Sequence, residues 1–331
     1  MKDFQVSSII GLMRRTSPFL IFRFLIYFGI TLGYVLATGA GASVGYTAGA
    51  VFGDTGTGAT WGGFIGFGLA GAVMYFLREY LLYMVKAGHI AVLVKLMDGS
   101  QIPDGRSQIG YAQGVVKERF AESNVLFGVD QLIKGVIKVF NRAFFTLAAV
   151  IPIPGIEGVA KLMNTFIRLS LTYLDEVILA YNVRTRSDNP WASSRTALIL
   201  YAQNYKAFFL NAVILTFIIW GLTLGVFLLI LAPIAGLVAL FPGLAGSFAL
   251  LIALAFAWGV KQAVIEPFAM TALMQVFFKI TQDQQPDPEW EQKLGAISNQ
   301  FGELKSKAKE WGHSRQEQEV EVEVEGKNTV P

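Results

Sequence analysis

Cysteine is absent from the 331 residues, and histidine occurs only as His89 and His313. The first absence excludes disulfides, thiolate metal sites and a cysteine nucleophile. The two imidazoles lie far apart in the chain and offer no metal-ligand spacing. Charge is scarce as well: Asp, Glu, Lys and Arg make up 15% of the chain and the net charge is +3. The basic residues are spread out, with no massed block of the kind that binds nucleic acid. A phosphate-loop Gly-Lys-Ser/Thr, a His-Glu-x-x-His pair and a Gly-x-Ser-x-Gly elbow are all missing. Residues 53–63 are glycine-rich but lack the following lysine of a phosphate cradle. The expectation is therefore a non-enzyme with no cofactor and no bound metal.

What the chain has in quantity is apolar surface. Hydrophobic residues are 53% of it, 26 of them phenylalanine, and the mean hydropathy is +0.50. A single soluble core could not hide that much, so a bilayer is the expected solvent. Arg14-Arg15 ahead of an apolar run ending at Ala40-Gly41-Ala42 outlines an export signal. The run exceeds the ~7–15 residues of a signal core, and no Phe-Leu pair directly follows the arginines, so it reads as an uncleaved membrane segment.

Three apolar blocks each fold back about a break: 26–84 at Asp54-Thr55-Gly56, 125–182 at Pro152-Ile153-Pro154-Gly155, and 208–265 between Pro233 and Gly243. Their arms are long enough to cross ~30 Å of hydrocarbon. The expected fold is all-α, a polytopic helical membrane protein built from hairpins. Two hairpins give four transmembrane helices; a central hairpin either spans or is re-entrant. The predicted segments are an interfacial helix at 1–25, the first hairpin at 26–84 and cytoplasmic amphipathic helices at 85–124. After them come a charged middle hairpin at 125–182, a cytoplasmic helix at 183–207, the third hairpin at 208–265, cytoplasmic helices at 266–310 and a disordered acidic tail at 311–331.

Lys and Arg set the expected orientation. The first tip, Thr38 to Thr60, has neither, and the other tip, Ala232 to Ser247, has no charge. Arg14, Arg15, Arg78, Lys86, Lys95, Arg184, Arg195, Lys206, Lys261 and Lys279 all fall on the opposite side. The positive-inside rule then puts both termini in the cytoplasm of an inner-membrane protein.

Gly41, Gly45, Gly49 and Gly53 recur every fourth residue, as do Gly62, Gly66 and Ala70 on the returning arm. On helices these are smooth stripes that admit close backbone approach. A turn centred near Gly56 would set Gly45 opposite Gly66 or Gly68. The pattern resembles glycine-zipper hairpins; that resemblance implies helix packing within the chain, with a homo-oligomer or membrane-protein interface as the alternative.

The middle hairpin is chemically different. Asp130, Lys134, Lys138 and Arg142 share one helical face, and Lys161, Arg168, Asp175 and Glu176 lie on the second arm. The ion-pair candidates are Asp130, one turn from Lys134 on the same face, and Asp175 and Glu176, toward which folding about Gly155 brings Lys134. Lys138, Arg142, Lys161 and Arg168 then form, with Lys134, a basic stripe suited to anionic lipid headgroups or an anionic solute. Glu266-Pro267 is expected to kink or end the last span. Asn189-Pro190-Trp191 should open a helix with the indole at the membrane interface.

Ile137-Lys138-Val139-Phe140-Asn141-Arg142 resembles a stretch of choline-transporter-like membrane proteins. The similarity covers about 25 residues and implies a multi-span solute transporter, although a basic stripe fits a cation poorly. Two functions follow as expectations: a transporter- or channel-like protein, or a membrane scaffold that holds partner proteins or lipid. Spans without ionisable residues weaken the first, and the charged middle hairpin weakens the second.

Overall fold

The computed structural model describes residues 3–102, 107–119, 128–139, 165–166, 168–169, 171–239 and 246–312. Among these every regular element is helical. The chain divides into two compact units, one of Met1–Ile9, Ile90–Phe217 and Ala269–Pro331, the other of Ile10–His89 and Ile218–Phe268. Three helices are long and apolar enough to cross a membrane: Ser17–Phe52, Tyr205–Gly236 and Ala253–Ile280. Leu229 is 77% exposed and Leu36 63%. Apolar faces so bare are covered by lipid in a membrane protein and would be an aggregation site in water.

In the second unit the first helical hairpin is closed by two residues. Helix Ser17–Phe52 ends at Gly53, whose φ of 80° is left-handed and whose N–H returns to the Gly49 carbonyl. Only glycine adopts that conformation without strain. Asp54 then opens helix Thr55–Met97, its Oδ1 accepting from the Thr57 N–H at 3.0 Å. The break thus falls at Gly53-Asp54, ahead of the expected Gly56, and the facing register moves with it. Gly45 meets Gly58 and Gly62, and Gly41 meets Gly62 and Gly66. A Cβ placed on Gly45 would lie 2.9 Å from Gly62 Cα, and one on Gly62 would lie 2.8 Å from Gly45 Cα. Gly53 faces open space and makes the turn, so it does not belong to the packing face.

Prolines interrupt the later helices less than expected. Helix Tyr205–Ala239 runs through Pro233. The last candidate span continues through Pro267: helix Gly246–Val260 passes into a π turn, Lys261–Ile265, and then into helix Glu266–Ile280. The wider turn sends the Glu266 N–H back to the Lys261 carbonyl, five residues earlier. Glu266-Pro267 therefore lies inside the helical run of a candidate span and does not end it.

The first unit is built from shorter helices. Pro190–Gln203 packs beside Leu174–Thr185 around Ile178, Leu198 and Ile199, all buried. Tyr201 stacks on Phe208 at 4.3 Å between ring centroids, and Phe277 contacts Phe208 and Tyr181 at 5.9 and 5.7 Å. Asn189 caps its helix by accepting from the Ala192 N–H at 3.0 Å, with Pro190 in the first turn where its missing N–H costs nothing. The Asn189 Nδ2 also donates to the Ala308 carbonyl at 2.7 Å, and Trp311 Nε1 to that of Asp188 at 2.8 Å. Helix Pro288–Ile297 repeats the device with Asp287, whose carboxylate accepts from Glu289 at 2.8 Å. Trp191, expected at a membrane interface, is instead buried in this unit, its ring near the Gly128 backbone and under Lys307.

Candidate functional site

The predicted basic stripe is only partly within the described residues. Arg142, Lys161 and the Pro152 to Gly155 tip lie outside them, as do residues 313–331 of the tail. On helix 128–139, Lys134 Nζ lies 2.7 Å from Asp130 Oδ2, one turn back on the same helix. Asp130 is buried, and Lys138 and Arg168 are exposed. Asp175 and Glu176 occupy the first turn of helix Leu174–Thr185, where the helix dipole favours carboxylates. The Lys134–Asp130 contact is the i,i+4 pair that helical spacing favours.

A second cluster, in the other unit, joins residues that the sequence gives no reason to connect. Thr16, Phe19, Arg23 and Tyr27 recur at three- and four-residue spacing along one face and are all buried. Arg23 is 1% exposed, and its Nη2 lies 3.4 Å from Glu266 Oε2. The same nitrogen donates to the Gln262 backbone carbonyl at 3.1 Å.

The π turn accounts for that second bond. An α-helical register would give the Gln262 carbonyl the Glu266 N–H, but that N–H is directed to Lys261. A π register would give it the N–H of residue 267, which is proline and has none. The guanidinium supplies the missing donor. Hydrogen bonding assigns the Gln262 amide with its nitrogen toward Glu266 at 2.8 Å and its oxygen toward Trp258 Nε1 at 3.2 Å. Tyr27 closes this side, its ring edge-on to Trp258 at 5.8 Å.

His89 lies on the same face, stacked on Phe19 with ring centroids 5.1 Å apart and fully buried. Its Nε2 is 3.1 Å from Thr16 Oγ1. That hydroxyl already donates to the Leu12 carbonyl at 2.9 Å, so Nε2 carries the imidazole proton and donates. Nδ1 is then an acceptor, and it has no hydrogen-bond partner. Arg23 Nε and Nη1 likewise have none.

A third polar group belongs to the first unit. Glu291 pairs with Arg195 and with Lys305, the latter at 3.0 Å. The Arg195 hydrogen bond, with a second from Lys305, holds its carboxyl below the ordinary 4.5. A depressed folded-state value contributes stability that is present above the ordinary value and lost as pH falls through the folded one. The melting temperature of wild type should therefore drop more steeply below about pH 4.5 than that of Glu291→Gln, and parallel curves would contradict the assignment.

Protein-family models, curated proteins and solved structures contain no match to this chain. The functional reading therefore rests on the chain's own residues. Sequence reasoning treated Glu266 as punctuation and left Arg23 in an interfacial helix. The available signal was one arginine on a Thr16-Phe19-Tyr27 face and the single carboxylate between Ala253 and Ile280.

Proposed function

We propose that this chain is a multi-pass protein of the cytoplasmic membrane, transporter-like, that handles an anionic solute or headgroup. The buried Arg23–Glu266 pair beside a π turn carries this reading. Ionisable groups within apolar helices are expensive and typically mark solute or ion paths, and π turns concentrate at functional sites. A passive anchor has no use for a guanidinium with unmade hydrogen bonds. The exposed cations Lys138 and Arg168 add a basic surface to the other unit.

Four crossings follow if the return arm crosses with the outgoing one. Helix Ser17–Phe52 has 36 residues, about 54 Å at 1.5 Å per residue, and its partner is held against it by glycine-to-backbone contact. With two further spans the count is even, and the charge asymmetry puts both termini inside. Cysteine introduced at Thr57 should react with a membrane-impermeant maleimide in intact cells, and cysteine at Lys307 only after lysis. The reverse pattern would sink the orientation.

The functional test is uptake into phosphatidylcholine vesicles carrying the purified chain. Radiolabelled phosphate or succinate should enter faster than into empty vesicles, and choline should not. Equal rates for all three would overturn transport and leave the scaffold reading, in which the protein copurifies with a stoichiometric partner.

A further inference from the structure

We propose that the first hairpin pairs two copies of this chain, through a groove that runs along one side of it. The groove is a cavity of about 1000 Å³ between helices Ser17–Phe52 and Thr55–Met97. Gly41, Gly45, Gly58 and Gly62 form its floor, and they are already engaged in contact between the two arms. The surface left to a partner is the walls, and these differ in height. Helix Ser17–Phe52 contributes Ala37, Ala40 and Val44, whereas helix Thr55–Met97 contributes Trp61, Ile65 and Leu69, which are 65%, 60% and 66% exposed. A two-fold axis parallel to the hairpin sets the high wall of each copy against the low wall of the other. Both contacts are then the same contact, as a closed two-fold interface requires. The register permits it: with Gly45 between Gly58 and Gly62, and Gly41 between Gly62 and Gly66, Trp61 stands level with Val44, Ile65 with Ala40 and Leu69 with Ala37. Each bulky side chain thus meets a smaller one at its own height in the second copy.

Area, height and charge favour a second copy over lipid as the occupant. Val44 and Phe52, also on the walls, are 69% and 86% exposed. With Trp61, Ile65 and Leu69 they offer roughly 600 Å² of apolar side-chain surface, within the ~600–1,000 Å² per partner of a specific interface. Lipid tails cannot fill the whole groove. From Arg23 to Phe52 the helix rises roughly 44 Å, whereas crossing ~30 Å of hydrocarbon takes only about 39 Å even at ~40° of tilt. With Arg23 at the cytoplasmic edge of the hydrocarbon, or inside it, Phe52 lies beyond the far edge. Apolar surface bare to water there is an aggregation site unless it is covered. Asp54 is the only charged residue between Arg23 and Arg78, so the walls of two copies meet without repulsion. Its carboxylate lies at the Phe52 end of the groove, where it stays in water, as does Thr57 beside it. Lower down, small residues facing bulky ones give the close packing that drives helix association in lipid.

The test uses the full chain, which has no cysteine of its own. Two differently tagged copies are expressed together, one carrying Ala40→Cys and the other Ile65→Cys, and the membranes are oxidised. A product carrying both tags is expected. The pair Ser43→Cys and Thr60→Cys, whose positions do not line the groove, should give none. In phosphatidylcholine vesicles, photobleaching steps of singly labelled chains count copies as the protein-to-lipid ratio falls. The double variant Trp61→Ala, Ile65→Ala should need about a tenfold higher ratio to reach the dimer fraction of wild type, as loss of an aromatic anchor implies. Both side chains are exposed in the single copy, so the variant should keep its own hairpin. A cross-link within one chain between Ala42→Cys and Gly63→Cys checks this, since a Cβ on Gly63 would lie 3.6 Å from that of Ala42. If the hairpin is lost, the two-tag experiment decides alone. Single copies at every ratio, an unchanged dimer fraction in the double variant, or equal cross-linking from the Ser43 and Thr60 pair would each overturn the proposal. So would a product joining Ala40→Cys to an unrelated membrane protein in place of a second copy, which would assign the groove to a foreign partner.

Discussion

Gly62→Val should abolish the packing of the first hairpin, while Gly68→Val on the same helix should leave it intact. At Gly62 even a methyl group would meet the Gly45 backbone, with Gly45 Cα at 2.8 Å and Gly45 N at 2.9 Å. Backbone cannot rotate away as a side chain can, so the arms must separate. Separation propagates, because Gly41, Gly45 and Gly58 face backbone in the same way along the stripe. A methyl group at Gly68 would have nothing within 4 Å, so this position faces outward. Overpacking of this kind costs about 1–3 kcal/mol where neighbours can yield, and more where only backbone is available. Cysteines at Ala42 and Gly63 offer a readout: cross-linking within one chain should be efficient in Gly68→Val and lost in Gly62→Val. Retained cross-linking in both variants would show that the arms do not depend on this contact.

How much of this was legible in the sequence differs by element. The two glycine stripes were, because four-residue spacing maps directly onto a helix face. Their register was not. It depends on whether the chain turns at Gly53-Asp54 or at Gly56, and the choice is made by one left-handed residue and one side-chain cap, while several nearby glycines and threonines offer similar chemistry. Asn189-Pro190 was legible as a helix start because the cap is local. The burial of Trp191 was not, since an indole beside a polar turn has the same sequence signature at a membrane interface and within a helical platform.

Proline misled in one direction. Its missing N–H is a local fact, but whether the helix stops depends on what else can serve the freed carbonyls. At Pro267 the answer comes from Arg23, distant by more than 200 positions, so no window of sequence could contain it. The ion pair with Glu266, 243 residues away, was hidden for the same reason. Lys134 shows the converse: Asp130, a candidate partner one turn away on the same helix, was legible from i,i+4 spacing and makes a 2.7 Å contact with it.

Arg23→Gln should be among the most destabilising single changes in the chain, and combining it with Glu266→Gln should recover most of the loss. The single variant removes the cation and leaves the Glu266 carboxylate in a site where its side chain is 16% exposed. Breaking a buried pair from one side typically costs about 3–5 kcal/mol. It also removes the donor that serves the Gln262 carbonyl, whose helical partner Pro267 cannot replace it. The double variant leaves two neutral amides, which can hydrogen-bond with each other and with Gln262, so neither member of this pair leaves its charge facing the other's vacancy. Arg23→Lys tests geometry apart from charge: an ammonium is a point donor and cannot serve both the carbonyl and the carboxylate with the spread of a guanidinium, so it should fall between wild type and Arg23→Gln. Melting temperatures in detergent, read as a double-mutant cycle, give the coupling directly. A loss on the order of 10 °C for the single variant, mostly restored in the double, is the expected outcome. Additive losses would mean that the two residues act independently and that the 3.4 Å approach is incidental.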